Sequence, residues 1–197
     1  KEVTVGLTGA GGDELFAGYP TLIAGRMGRA YRRLPLWLRK GVIAPVVARL
    51  PTSFERMSLD FMAKSFLQGA DLPLEQAHHR FKEVFGRADR EKLLMPEPFV
   101  RLERGDPFFV FGRHGPACEP MRWIDRLLYL DFKVFLADDV LAMGDITTAA
   151  HSLEGRVPFL DLEMIRLAQR MPSEMKLRGW TTKRVIREAM ADELPRR

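Results

Sequence analysis

A single cysteine, Cys118, stands among 197 residues, with only four histidines, three tyrosines and three tryptophans. One thiol excludes an intramolecular disulfide and a cysteine-rich zinc site, and it fits a reducing compartment. No apolar run reaches membrane-spanning length: Leu127 to Ala137 is interrupted by Asp131 and Lys133, and Gly41 to Ala48 is short and contains Pro45. No secretory signal pattern is visible, so the expected location is cytoplasmic, with no membrane partner. Neither GxxxxGK(S/T) nor GxGxxG occurs, which disfavours the P-loop and the dinucleotide fingerprint. Internal repeats are also lacking.

What remains is enough for a globular core: 46% of residues are hydrophobic and 29% charged. The net charge of +5 is unevenly spread. From Leu15 to Phe54 every charged residue is basic, namely Arg26, Arg29, Arg32, Arg33, Arg39, Lys40 and Arg49, with Tyr31 and Trp37 interleaved. Such a block suits a polyanion. It equally suits a solvated helical face against an acidic partner domain, which is the preferred reading, and nucleic acid is not an expected partner.

The richest stretch is Leu7 to Tyr19, LTGAGGDELFAGY. Before and into it, Val3, Val5 and Leu7 alternate with Thr4, Gly6 and Thr8, the period of a strand. Gly9, Gly11 and Gly12 then permit positive φ and close approach of a ligand to the backbone, while N–H groups at the following helix start favour anions. Asp13 and Glu14 add carboxylates where a hard cation such as Mg²⁺ can sit. Acids in a first turn are also favoured by the helix macrodipole alone, so the segment by itself leaves both readings open.

Beyond this strand the chain reads as helical, with no second alternating segment. Asp71 is placed to cap a helix carrying Leu74, Ala77, Phe81 and Val84 and ending near Gly86. Met95 to Pro120 holds eight prolines and glycines and reads as a long loop. A helix follows over Met121 to Val140, with Trp123, Leu127, Leu130, Val134 and Leu141 in its apolar stripe. Asp161 caps a further helix whose face is Met164, Ile165, Ala168 and Met171, stopped by Pro172. The last helix begins at Thr181 or Thr182, which puts Lys183 in its first turn. A cation there opposes the macrodipole, and a bound phosphate would reconcile the two. Asp131, Asp138 and Asp145 recur every seven residues, so a continuous helix would stack them on one face.

Three segments resemble, in order, motifs of the synthetase domain of glutamine-hydrolysing asparagine synthetases. LTGAGGDELFAGY is similar to SG(D/E)G(A/G/S)DE(L/V)F(A/G)GY; HSLEGRVPFLD, His151 to Asp161, to HS(L/V)E(A/G)RVPFLD; and MKLRGWTTKRVIR, Met175 to Arg187, to KLR-x-x-x-TK-x-(L/I)(L/I)R. The middle, about Thr21 to Arg122, matches only in being helical and loop-rich. The resemblance implies an α/β fold of the adenine-nucleotide ATP-pyrophosphatase (PP-loop) type in the parent protein, of which residues 1–197 would be a partial C-terminal domain, mostly α-helical with an N-terminal strand. It implies ATP and Mg²⁺ as cofactors, with aspartate and glutamine-derived ammonia as substrates and a homodimer as one expected assembly. By the same comparison Lys183 and Asp145 are catalytic, Asp13 binds the metal, and Gly9, Gly11, Gly12, Glu14 and Arg156 bind substrate and ATP, Glu14 chiefly by orienting the turn. Lys183 would hold the departing pyrophosphate. His151 reads as a hydrogen-bonded structural residue.

The resemblance breaks at three places. Ala10 stands where Asp or Glu is usual, Met143 where Lys or Arg is usual, and Ile146 where Arg is usual. All three changes remove charge, which leaves room for a related amide or lactam synthetase on another carboxylate, or for a noncatalytic helical RNA- or protein-binding paralogue. The glutaminase domain, with its cysteine nucleophile, and the pyrophosphate loop SGG-x-DS do not occur among these residues, so the chain is expected to be a fragment cut at both ends and inactive alone.

Overall fold

A computed structural model describes residues 3–51, 58–97 and 108–194. The chain divides into two compact units, residues 1–20 with 113–197, and residues 21–112.

In the first unit, strand β1 (Val5–Leu7) forms where the alternation predicted it. It pairs in parallel with β2 (Glu154–Arg156), Val5 opposite Glu154 and Leu7 opposite Arg156. This second strand was not expected. Glu-Gly-Arg has no apolar alternation to betray it; backbone pairing holds it, extended by Glu154 N–H to Thr4 O at 2.8 Å and Thr8 N–H to Arg156 O at 2.8 Å. Gly155 packs closely at the crossing, where a Cβ would make van der Waals contact with Thr148 and Thr8. The element content is thus mainly helical around a short parallel sheet, an α/β fragment.

The predicted helix after Pro120 runs further than Val140. Trp123–Leu130 is α-helical, Asp131–Leu141 is π-helical, and Ala142–Ala150 returns to α-helix without a break. An i→i+5 ladder winds fewer degrees per residue, so heptad stacking fails across it. Asp131 is accordingly fully buried while Asp138 and Asp145 are exposed, which corrects the expected single acidic face. Asp161 does cap Leu162–Arg170, its Oδ1 accepting from Glu163 N–H at 2.9 Å, an arrangement that stabilises a helix by about 1 kcal/mol. That helix buries Ala168 against Leu15 and Phe16, with Met164, Ile165 and Met171 closing the cluster as the spacing predicted.

In the second unit, Tyr31 is buried and meets Phe66 edge-on, ring centres 5.6 Å apart, and Phe66 stacks on Phe81. Trp37, by contrast, is exposed. Leu74–Lys82 is helical, ending short of the predicted Gly86 so that Val84 is exposed rather than in its apolar face, and Pro73, not Asp71, precedes its first turn. Asp71 instead ends the preceding helix, Leu59–Ala70, and receives Arg39 together with Lys40, the latter at 2.7 Å. Lys40's hydrogen bond, with help from both cations' charge, holds the Asp71 carboxyl below its ordinary range against the opposing effect of burial. Of the predicted loop, residues 98–107 lie outside the described part; Phe109–Gly112 and Gly115–Cys118 form short helices.

Candidate functional site

The glycine-rich turn behaves as its residues require at one position. Gly11 has φ 87°, and a Cβ there would strike the Leu160 side chain, so this turn tolerates no side chain. Gly9 and Gly12 keep ordinary φ; Gly12 packs beneath Phe159, whose ring a Cβ would approach to 3.3 Å. Helix Gly12–Phe16 begins directly, with Asp13 and Glu14 in its first turn, and ends one turn later at Ala17 in the left-handed region.

That abrupt ending folds the chain back over Asp13. Gly18 N–H donates to Asp13 O at 2.9 Å, and the Gly18 Cα lies so close to the Asp13 carboxylate and Lys183 Cε that any added Cβ would collide with both. Lys183 comes from the third motif. It does not sit in the first turn of the last helix, Arg184–Ala189, but immediately before it, at φ 49° and ψ 35°. A lysine in this left-handed conformation costs on the order of 1–2 kcal/mol. The backbone setting directs Nζ to 3.1 Å from Asp13 Oδ1, with both side chains about one-third exposed. The first and third motifs therefore meet at one carboxylate and one ammonium, open to solvent.

Glu14 turns the other way. It is 2% exposed, and Tyr19 O–H donates to its Oε1 at 2.5 Å. Burial, then that hydrogen bond and the charge of Glu14, raise the Tyr19 hydroxyl far above its ordinary value. Tyr19 also packs edge-on against Phe135, with ring centres 5.5 Å apart. Glu14 therefore anchors the turn through an aromatic hydroxyl rather than through a basic group, and sequence reasoning assigned no role to Tyr19 or Gly18. The GY pair closing the motif was the available signal.

The second motif reaches the site through backbone. β2 lies beside β1, so Arg156 is opposite Leu7, just before the glycines, but its side chain pairs with Glu154 at 2.8 Å. Asp145 is exposed, and no contact joins it to Asp13 or Lys183 among the described residues. Met143 and Ile146 flank Asp145 and are exposed apolar side chains. His151 Nδ1 lies 2.9 Å from Thr147 O, a helix-end hydrogen bond. No group of three metal-ligating side chains occurs among the described residues. For Mg²⁺ the fit is therefore limited to one carboxylate, that of Asp13, which is compatible with an ion whose remaining ligands are phosphate oxygens and water.

These motifs lie within a chain that the Asparagine synthase family model matches over residues 1–197. The chain belongs to the asparagine synthase family. Among its relatives is Asparagine synthetase (glutamine-hydrolyzing) 1 of Bacillus subtilis (strain 168), 30% identical over 195 residues, which are 99% of this chain and 29% of that protein. A Mycobacterium tuberculosis (strain ATCC 25618 / H37Rv) protein, whose asparagine synthetase name is provisional, is 30% identical over 197 residues and is covered to 28% of its length. The chain thus spans under a third of the length of the curated relatives it matches. No solved structure gives a significant match. No helix among the described residues of this family member is long and apolar enough to cross a membrane.

Proposed function

We propose that this chain is part of the C-terminal synthetase domain of an ATP-dependent, amide-forming ligase of the ATP-pyrophosphatase type, and that its Asp13 and Lys183 handle the nucleotide phosphates. The observation that carries the reading is the 3.1 Å approach of Lys183 Nζ to Asp13 Oδ1 beside the Gly11 turn. An ammonium held in a strained backbone setting at a solvent-open carboxylate is suited to release that carboxylate when a more highly charged anion arrives.

In the reaction proposed, a side-chain carboxylate oxygen of aspartate attacks the α-phosphorus of ATP. The bond to the β-phosphate oxygen breaks and pyrophosphate leaves. Ammonia derived from glutamine then forms a C–N bond at the acyl carbon, AMP departs, and the proton lost from nitrogen goes to solvent. Lys183 meets the charge that develops on the leaving pyrophosphate, and such a preorganised contact is worth about 10²–10³ in rate. The Gly9 to Gly12 turn lets phosphate approach the backbone, while Glu14 fixes the helix start through Tyr19. Asp13 would supply the protein carboxylate for Mg²⁺, which neutralises phosphate charge when bound. Arg156 and Asp145 are assigned to the cleft rim, where the parent's remaining segments, including a glutaminase domain, would complete the site; a cytoplasmic location and a homodimer go with this reading.

The test is pyrophosphate release by the full-length protein, with asparagine quantified. Release that needs aspartate, ATP and a nitrogen donor supports the proposal; none with aspartate removes this substrate. The exposed apolar Met143 and Ile146 favour a second reading, in which the acceptor is a different carboxylate. A carboxylate screen scored by pyrophosphate separates the two.

A further inference from the structure

Within the first unit a cavity of ≈ 450 Å³ opens beside Glu14, and neither Asp13 nor Lys183 lines it. That volume is ordinary for a small-molecule site, which spans about 300–1,000 Å³. Its walls are mostly apolar, from Met121, Leu128 and Phe132, but the two acids Glu14 and Asp125 and the base Lys176 reach it, beside the polar Tyr129 and Gln169. Lys176 is 94% buried, being 6% exposed, and makes no hydrogen bond or ion pair among the described residues. Asp125 is half-buried and likewise without a partner among the described residues. Burial pushes the Lys176 ammonium down and the Asp125 carboxyl up, and each feels the other's charge without coming within ion-pair distance. Arg122 is engaged elsewhere, by Glu174.

An ammonium on a side chain this deeply buried, facing the cavity, is favoured by an anion within it. A simple anion would satisfy Lys176 and be repelled by Glu14 and Asp125. A simple cation would suit the acids and leave Lys176 stranded. Only a ligand carrying both charges answers the set, and Glu14 is held in place for it by Tyr19 at 2.5 Å. We propose that this cavity binds a free α-amino acid, its carboxylate on Lys176, its ammonium between Asp125 and Glu14, and an apolar side chain against Met121, Leu128 and Phe132. The site is separate from the phosphate-handling pair, and it stands whether or not the ligase reading does.

Calorimetric titration of the full-length protein with L-leucine tests it. Saturable binding is expected, at least tenfold weaker for 4-methylpentanoate and for 3-methylbutylamine, each of which keeps one charge. Lys176→Met preserves the aliphatic stem and Asp125→Asn the shape; each should weaken leucine binding tenfold or more, while Asp13→Asn leaves it unchanged. Should K176M fail to fold, D125N decides. Absence of saturable binding, equal binding by the one-charge analogues, equal affinity in D125N, or loss of binding in D13N would each overturn the assignment. Pyrophosphate release is measured separately and decides only the ligase reading.

Discussion

In the unit of residues 21–112, two of the basic side chains that drew attention in the sequence are bound into the fold while the others stay exposed: Arg32 Nη1 donates to Ala70 O at 3.0 Å and Leu72 O at 3.1 Å, and half-buried Arg39, with exposed Lys40, pairs with Asp71. In the unit that carries the motifs, Lys183 stands in a left-handed backbone against a carboxylate about one-third exposed, and Lys176 is buried with no ion pair among the described residues. Cations of the first kind satisfy carbonyls and end helices, so they serve the fold. Cations of the second kind are held where the fold alone gains little from them. The contrast is therefore between cations bound into the fold by carbonyls and a carboxylate, and cations held where a ligand can reach them.

The largest effect that would break this contrast concerns Gly18. Gly18→Ala puts a methyl group into the Asp13 carboxylate and Lys183, and a displacement of about 1 Å at such a pair lowers turnover on the order of 10²-fold, read as pyrophosphate release by the full-length protein. The midpoint of unfolding should hardly move.

Next in size is Tyr19→Phe, which strands the buried Glu14 carboxylate; denaturant unfolding should show a loss of about 1.5–3 kcal/mol. The pH dependence has a definite sign. The folded-state hydroxyl titrates above its ordinary value of about 10, so its contribution is complete below that pH and is lost as pH rises beyond it. A wild-type alkaline decline that persists unchanged in Y19F would contradict the assignment.

In the other unit, Arg32→Ala leaves two carbonyls without their donor and should lower stability by about 1–3 kcal/mol, while activity per folded molecule stays as it was. The smallest change is Asp71→Asn, about 0.2–1 kcal/mol for a partly exposed pair. Because Lys40 depresses the Asp71 carboxyl, that contribution is present above the ordinary carboxyl range and disappears as pH falls through the lowered value, so D71N should flatten the acid limb of the stability curve.

Sequence legibility followed the same division. Where local chemistry decides, as in the Asp161 cap, the Gly11 turn and the strand from Val5, the residues announced their structure. β2 was hidden because Glu-Gly-Arg takes its conformation from a partner strand, not from its own pattern. The π-helical ladder over Asp131–Leu141 has no residue signature, and it overturned the seven-residue stacking of the three aspartates. Lys183 was legible by identity and motif, whereas its left-handed backbone came from a turn that only the folded chain reveals. Asp125 belongs to no motif and Lys176 opens the KLR of the third, and 51 positions separate them; packing alone brings them to one cavity.

The central claim is that Lys183 meets phosphate whereas the basic block of the other unit does not. Pyrophosphate release from ATP in the presence of aspartate and ammonia, measured on full-length Lys183→Ala and Arg32→Ala side by side, tests it most directly. The account predicts a fall of about 10²–10³ in K183A and a rate per folded molecule close to wild type in R32A. Wild-type turnover in K183A, or an equal loss in both variants, would contradict it.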